Sequence, residues 1–157
     1  MLYFAYGSNL NWQRMRGRCP SSKPIARGIL HGWQLEFRAK HHKTGVANIF
    51  EDKGNKVHGM LYEIEDCEDW QHLDSCEGVP STYYKKWVEV ETRQGTELAI
   101  TYVMNRKLTP GYNKLPSQEY IAHLAKGYDK WVLPLQEIDK AINITSNSKE
   151  GSHYANS

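Results

Sequence analysis

Apolar and polar positions divide the chain into short segments that mostly carry strand-like patterns. Residues 2–6, Leu-Tyr-Phe-Ala-Tyr, form a continuous apolar run of the kind found in a buried strand, and the run stops at Gly7-Ser8-Asn9. Asn9 or Asn11 can cap a helix start by accepting from a backbone N–H, which predicts a short helix over about residues 10–16. Pro20, Ser21, Ser22 and Pro24 mark a loop. Residues 26–38 and 46–51 read as strands, separated by the polar stretch His41-His42-Lys43-Thr44-Gly45. Lys53-Gly54-Asn55-Lys56 reads as a turn, and Val57 to Ile64 alternates as a further strand.

The segment Glu65 to Asp74 is acidic at its start, which suits a helix N-terminus because the carboxylates meet the positive end of the helix dipole. Gly78 and Pro80 stop that helix. Residues 83–91 and 97–104 alternate as the two arms of a hairpin around Arg93-Gln94-Gly95. Residues 105–116, with Pro110, Gly111 and Pro116, form a loop. Ser117 caps a helix running to about Lys130, and Pro134 opens a last helix over about residues 135–144. The stretch from Asn143 to Ser157 is polar and rich in Ser and Asn, so the expectation is one domain over residues 1–142 and a frayed tail over 143–157. Strands cluster in the centre, with helices at the front, middle and end. The predicted class is α+β, with a mixed or antiparallel sheet curled into a small β-barrel flanked by helices.

Composition narrows the functional classes. The 157 residues suit one core, and 39% apolar with 24% charged residues is the balance of a folded chain. A net charge of +2, from 20 basic and 18 acidic residues, gives no argument for nucleic acid or an anionic membrane as a partner. No apolar run approaches the ~20 residues that span a bilayer, and no basic segment precedes Leu2, so a cytoplasmic location is expected. Three cysteines at scattered spacing make no disulfide framework. The His41-His42 pair has no second ligand set at zinc-like spacing, so no metal site is expected. Ten Tyr and five Trp stand against three Phe. An apolar body with a polar tip suits a pocket for a small polar ligand, and it equally suits a packed core with its tips at the surface.

The first candidate motif is YFAYGSNL, Tyr3 to Leu10: a strand, a glycine turn and a helix start. Glycine there lets the backbone approach a ligand, and the N–H groups that follow can bind a carboxylate. Ser8 lacks a GxSxG elbow and reads as a turn residue rather than a nucleophile. The segment resembles the signature of the γ-glutamylcyclotransferase family. LDSCEGVPSTYYKKWVEV (Leu73 to Val90) resembles that family's catalytic block, in which a glutamate precedes a glycine and a tyrosine follows. ITYVM (Ile100 to Met104) resembles a later tyrosine-bearing strand, and PSQEYIAHLAKGYDKWVLP (Pro116 to Pro134) the helix that closes the pocket. The four blocks occur in the family's order over about residues 2–140, closer to members with YGSN than to the glutathione-specific branch.

The resemblance implies a cofactor-free enzyme acting on a small-molecule γ-glutamyl substrate, with no nucleic acid or membrane partner, and it leaves a homodimer open. The implied reaction is attack of the α-amine on its own γ-carbonyl, giving 5-oxoproline and a free amine. By position, Tyr3, Phe4, Ala5, Tyr6, Gly7, Ser8 and Asn9 would form the segment that holds the substrate, gripping its α-carboxylate through backbone N–H groups. Glu77 would be the general acid/base. Tyr84, Tyr102 and Tyr120 would line the pocket, with Tyr83 beside Tyr84 as the open alternative.

Helix geometry adds an independent argument for Glu77. With Cys67 at zero and about 100° per residue, Trp70 falls near −60°, Leu73 near −120° and Glu77 near −80°, on the apolar side. A carboxylate facing the core is costly unless paired or functional, and burial raises its pKa toward the range of a useful base. Asp74, at about −20°, lies near the same face. Two other readings keep the same fold: removal of a γ-glutamyl protecting group from a biosynthetic intermediate, and a binding module without the reaction. For the latter, Lys85-Lys86 and the His41–Lys43 run would be the partner surface.

Overall fold

The computed structural model describes residues 1–39, 44–105 and 112–155. The His41-His42-Lys43 run and the Pro110-Gly111 pair lie outside the described residues. The chain order is β1 (Leu2–Ala5), a 3₁₀ turn (Ser8–Leu10), α1 (Trp12–Arg18), β2 (Lys23–Ala39), β3 (Val46–Glu63), α2 (Cys67–Glu77), β4 (Tyr83–Thr92), β5 (Gly95–Met104), β6 (Tyr112–Asn113), α3 (Gln118–Lys130) and α4 (Gln136–Ala155).

The sheet runs β3-β1-β5-β4-β2-β6, and a β2–β3 pairing closes the first five strands into a mixed barrel. All pairings are antiparallel except β1 with β5, where Tyr3 faces Ile100. Phe4 fills the barrel interior and is fully buried. Glycines let the wall close around it. A Cβ on Gly28 would fall 2.3 Å from Val90 Cγ1, and one on Gly59 would fall 2.3 Å from the Ala5 carbonyl oxygen and 2.6 Å from the Phe4 ring. Closure leaves the barrel without free edges around most of its girth.

Pro24 lies within β2 and β6 lies inside the expected 105–116 loop, and three further boundaries differ from those expected. Lys53–Lys56 is not a turn between two strands, because β3 is continuous. The ladder with β2 shifts between His31↔Lys56 and Trp33↔Glu51, and Gly32 and Gly54 supply positive φ angles of 83° and 94°. The turn-like composition belongs to a bulge that bends a longer strand. At the N-terminal helix, Asn11 is the cap, accepting from Arg14 N at 3.3 Å, while Asn9 lies inside the preceding 3₁₀ turn.

The third difference is at the C-terminus. No break occurs at 142/143: α4 runs on through the stretch read as a frayed tail and ends at Ala155. Ile138 and Ala141 are buried, and buried Thr145 accepts from Phe37 N at 3.0 Å, which holds the helix against β2 beyond the expected boundary. Within 143–147, Asn143 and Asn147 are exposed while Thr145 is buried. No helix among the described residues is long and apolar enough to cross a membrane.

Candidate active site

Strand β1 alternates across the barrel wall. Phe4 points inward, and Tyr3 points outward under α2, where its ring meets Trp70 edge-on at 6.3 Å and Tyr102 at 5.6 Å. The chain then leaves the sheet at Tyr6-Gly7 and enters the 3₁₀ turn. That turn is tied down from three directions. Tyr62 Oη donates to the Asn9 carbonyl at 2.9 Å, and Trp131 Nε1 donates to the Leu10 carbonyl at 2.8 Å. From α3, Gly127 packs so closely that a Cβ there would lie 2.4 Å from Leu10 Cβ and 2.6 Å from its carbonyl carbon.

Helix α2 is set by sequence-local chemistry. Asp66 caps it by accepting from Glu68 N at 2.8 Å, and Gly78 ends it in the left-handed conformation at φ 67°. Trp70 and Leu73 are buried, and Glu77 follows them on the same face as the helix ends. Its carboxylate therefore projects toward β1 and the 3₁₀ turn rather than into solvent.

Between these elements lies a narrow cavity lined by Tyr3, Tyr6, Gly7, Ser8, Asn9, Ala47, Glu77, Tyr83, Tyr102 and Tyr120. The Glu77 side chain is 18% exposed. Its Oε1 accepts from Asn9 Nδ2 at 3.2 Å, and among the described residues no group bonds Oε2. The same Asn9 amide reaches Tyr3 Oη at 3.0 Å, and Asn9 Oδ1 accepts from Arg18 at 2.9 Å. Arg18 stands 3.9 Å from Glu77 Oε1. Burial raises the Glu77 pKa above the usual carboxylate range, while the Arg18 charge and the Asn9 hydrogen bond limit the rise.

The tyrosine hydroxyls are individually held. Tyr6 Oη donates to the Tyr102 carbonyl, and Tyr83 Oη donates to the Ala47 carbonyl at 2.7 Å. Tyr120 Oη accepts from Ala47 N at 2.9 Å. Tyr102 Oη donates to Asp74 Oδ1 at 2.6 Å. Burial pushes all of these phenols up, Tyr120 to about 12, so they remain protonated near neutral pH. None of the hydrogen bonds among the described residues uses the N–H of Gly7 or Ser8, and both residues line the cavity.

Most of the residues singled out in the sequence thus meet at one place: Tyr3, Tyr6, Gly7, Ser8, Asn9, Glu77, Tyr102 and Tyr120. Three do not. Phe4 is turned into the barrel by strand alternation, and Ala5 pairs with Met60 in the ladder with β3. Tyr84 is corrected to Tyr83. In the β4–β5 ladder Lys85 faces Tyr102 and Tyr83 faces Met104, so Tyr83 shares the cavity face. Tyr84 is on the other face, 38% exposed.

Arg18 and Ala47 were not picked out from the sequence. Arg18 is visible only as one of several basic residues in α1, and Ala47 acts through its backbone, which leaves no side-chain signal. Among the described residues, no group of three His, Cys, Asp or Glu side chains is arranged to hold a metal ion.

Comparison with known proteins finds relatives over nearly the whole chain. The family model described as "Gamma-glutamyl cyclotransferase, AIG2-like" matches residues 3–122. Human gamma-glutamylcyclotransferase is 33% identical over 96% of this chain and 81% of its own length. The mouse protein of the same name is 31% identical over the same shares. A solved structure titled gamma-glutamyl cyclotransferase is 29% identical and superposes with a TM-score of 0.77, covering 90% of this chain and 85% of that one. The matched region takes in the turn, Glu77 and the cavity tyrosines alike, and the chain belongs to the γ-glutamyl cyclotransferase, AIG2-like family.

Proposed function

We propose that the chain is a γ-glutamylcyclotransferase that converts a γ-glutamyl amine or amino acid into 5-oxoproline and the free amine, with Glu77 as general acid/base. The observation that carries this reading is the state of Glu77: a largely buried carboxylate, tethered among the described residues through Oε1 and facing a cavity of hydroxyls and backbone N–H groups.

The chemistry needs little more. The α-nitrogen bonds to the γ-carbonyl carbon, a five-membered lactam closes, and the bond to the departing nitrogen breaks. Two protons pass from the α-nitrogen to the departing nitrogen, and one carboxylate can carry them in succession. A raised pKa suits that task, because the base must take a proton from an ammonium group and give it up again. Intramolecular attack gains from orientation, so a cavity that bends the glutamyl chain supplies several of the roughly 7–11 kcal/mol available from ideal placement. The N–H groups of Gly7 and Ser8 are the donors suited to the α-carboxylate, which would fix the glutamyl head while its chain folds back toward Glu77.

Cyclisation is distinguished from hydrolysis by the fate of solvent oxygen. In H₂¹⁸O, turnover of γ-glutamyl-alanine should give 5-oxoproline without label. Labelled glutamate as the first product would overturn the reading.

A further inference from the structure

Asp74 lies three residues before Glu77 on α2, and its two oxygens have different partners. Oδ1 accepts from Tyr102 Oη at 2.6 Å, and Oδ2 is 2.9 Å from Lys85 Nζ. Lys85 and Tyr102 are cross-strand partners in the β4–β5 ladder, so the hairpin itself sets this triangle. An ion-paired carboxylate can only accept, so the Tyr102 hydroxyl must point its proton at Asp74. What Tyr102 retains for the cavity it lines is a lone pair.

The neighbouring hydroxyls follow the same logic. Tyr6 and Tyr83 donate to the carbonyls of Tyr102 and Ala47, and so they too have only lone pairs left. Tyr3 and Tyr120 instead accept, from Asn9 and Ala47, and keep their protons. Together with Glu77 and the N–H groups of Gly7 and Ser8, the cavity lining therefore offers both acceptors and donors. A glutamyl head is a zwitterion, and its ammonium group needs acceptors where its carboxylate needs donors.

We propose that Asp74 is a positioning residue that fixes Tyr102 as a hydrogen-bond acceptor for the α-ammonium group of the substrate. The assignment rests on the cyclisation reading for the identity of the substrate and adds how its nitrogen is recognised. Two acceptors, Glu77 and Tyr102, then hold the nitrogen that must attack. Asn at position 74 would present an amide N–H to Tyr102 Oη, turning the phenol proton toward the cavity and against the ammonium.

The test is equilibrium binding by calorimetry of L-glutamate and of glutarate, which lacks only the α-amino group, to the wild type, Asp74→Asn and Tyr102→Phe. A charge-assisted hydrogen bond predicts that the wild type prefers glutamate by about tenfold or more. Each variant should cut that preference at least about threefold, and the double variant should cut it little further, because both remove one interaction. An unchanged glutamate-to-glutarate ratio in either variant, even with both ligands weakened, would mark a purely structural residue and overturn the proposal. A wild type that shows no preference, or binds neither ligand, would overturn it as well. The readout does not depend on turnover. Glutamate selectivity without conversion of γ-glutamyl-alanine would sink the proposed reaction and leave the ammonium assignment standing.

Discussion

Asn9 Nδ2 lies 3.2 Å from Glu77 Oε1, joining a buried amide in the 3₁₀ turn to a carboxylate 68 residues later. The contact orders one oxygen of Glu77, and among the described residues no group bonds the other. It also makes Asn9 the hub between Tyr3, Arg18 and Glu77. Asn9→Ala should therefore lower turnover and shift its pH dependence while the chain stays folded. An alanine variant with wild-type turnover at every pH would show that the hub is not needed.

The pH dependence of Glu77 has a definite sign. Its folded pKa is raised, mainly by burial, above an unfolded value of about 4.3. The stability this group contributes is therefore full below the unfolded pKa and is lost as pH rises through the folded pKa. Glu77→Gln keeps the shape and can still accept from Asn9. It should be at least as stable as the wild type at pH 7, with the advantage shrinking on acidification. Thermal melts across pH test this, and a Gln variant whose deficit grows with pH would contradict it.

Arg18 limits the rise in the Glu77 pKa from 3.9 Å away. Removing its charge with Arg18→Met should move the acid limb of kcat/KM to higher pH, because Glu77 then holds its proton longer. A limb that stays in place would mean that the limb belongs to another group.

Gly7 faces a tight space. A Cβ there would sit 3.2 Å from Ala47 Cβ and 3.7 Å from Tyr120 Oη. Gly7→Val should intrude on the cavity and weaken substrate binding severely, with KM rising more than stability falls. Wild-type KM in a folded Val variant would remove the turn from the site.

Gly127 governs how α3 meets the 3₁₀ turn. An added methyl would overlap Leu10 side-chain and backbone atoms, so Gly127→Ala should cost roughly 1–3 kcal/mol of stability by overpacking. Because Tyr120 rides on the same helix, activity should fall with it. A denaturant midpoint at the wild-type value would contradict this packing account.

Much of the site was legible because its signals are local. The apolar run ending at Gly7, the helix start at Asn9 or Asn11, the acidic start of α2, the Ser117 cap and the helical phase of Glu77 relative to Trp70 and Leu73 all depend on neighbours within a turn or two. The β4–β5 register was also within reach. Thr92 pairs with Gly95 across a two-residue turn, and counting back from there places Tyr83 on the face of Tyr102. The choice of Tyr84 follows from motif spacing without that count. What could not be read is long-range: the Asn9–Glu77 contact, the Asp74–Tyr102 bond, and the packing of Thr145 that carries α4 past residue 142. Each joins residues whose proximity exists only once the barrel has closed.

Whether Glu77 moves the protons in a cyclisation is decided by quantifying 5-oxoproline and free alanine released from γ-glutamyl-alanine by the wild type and by Glu77→Gln at equal folded concentration. The wild type should release the two products in equal amounts. The Gln variant should be slower by about 10²–10⁴-fold, the range ascribed to a positioned general acid/base, while still binding substrate. A folded Gln variant that turns over within a few-fold of the wild type, or a wild type that releases alanine without 5-oxoproline, would contradict the account.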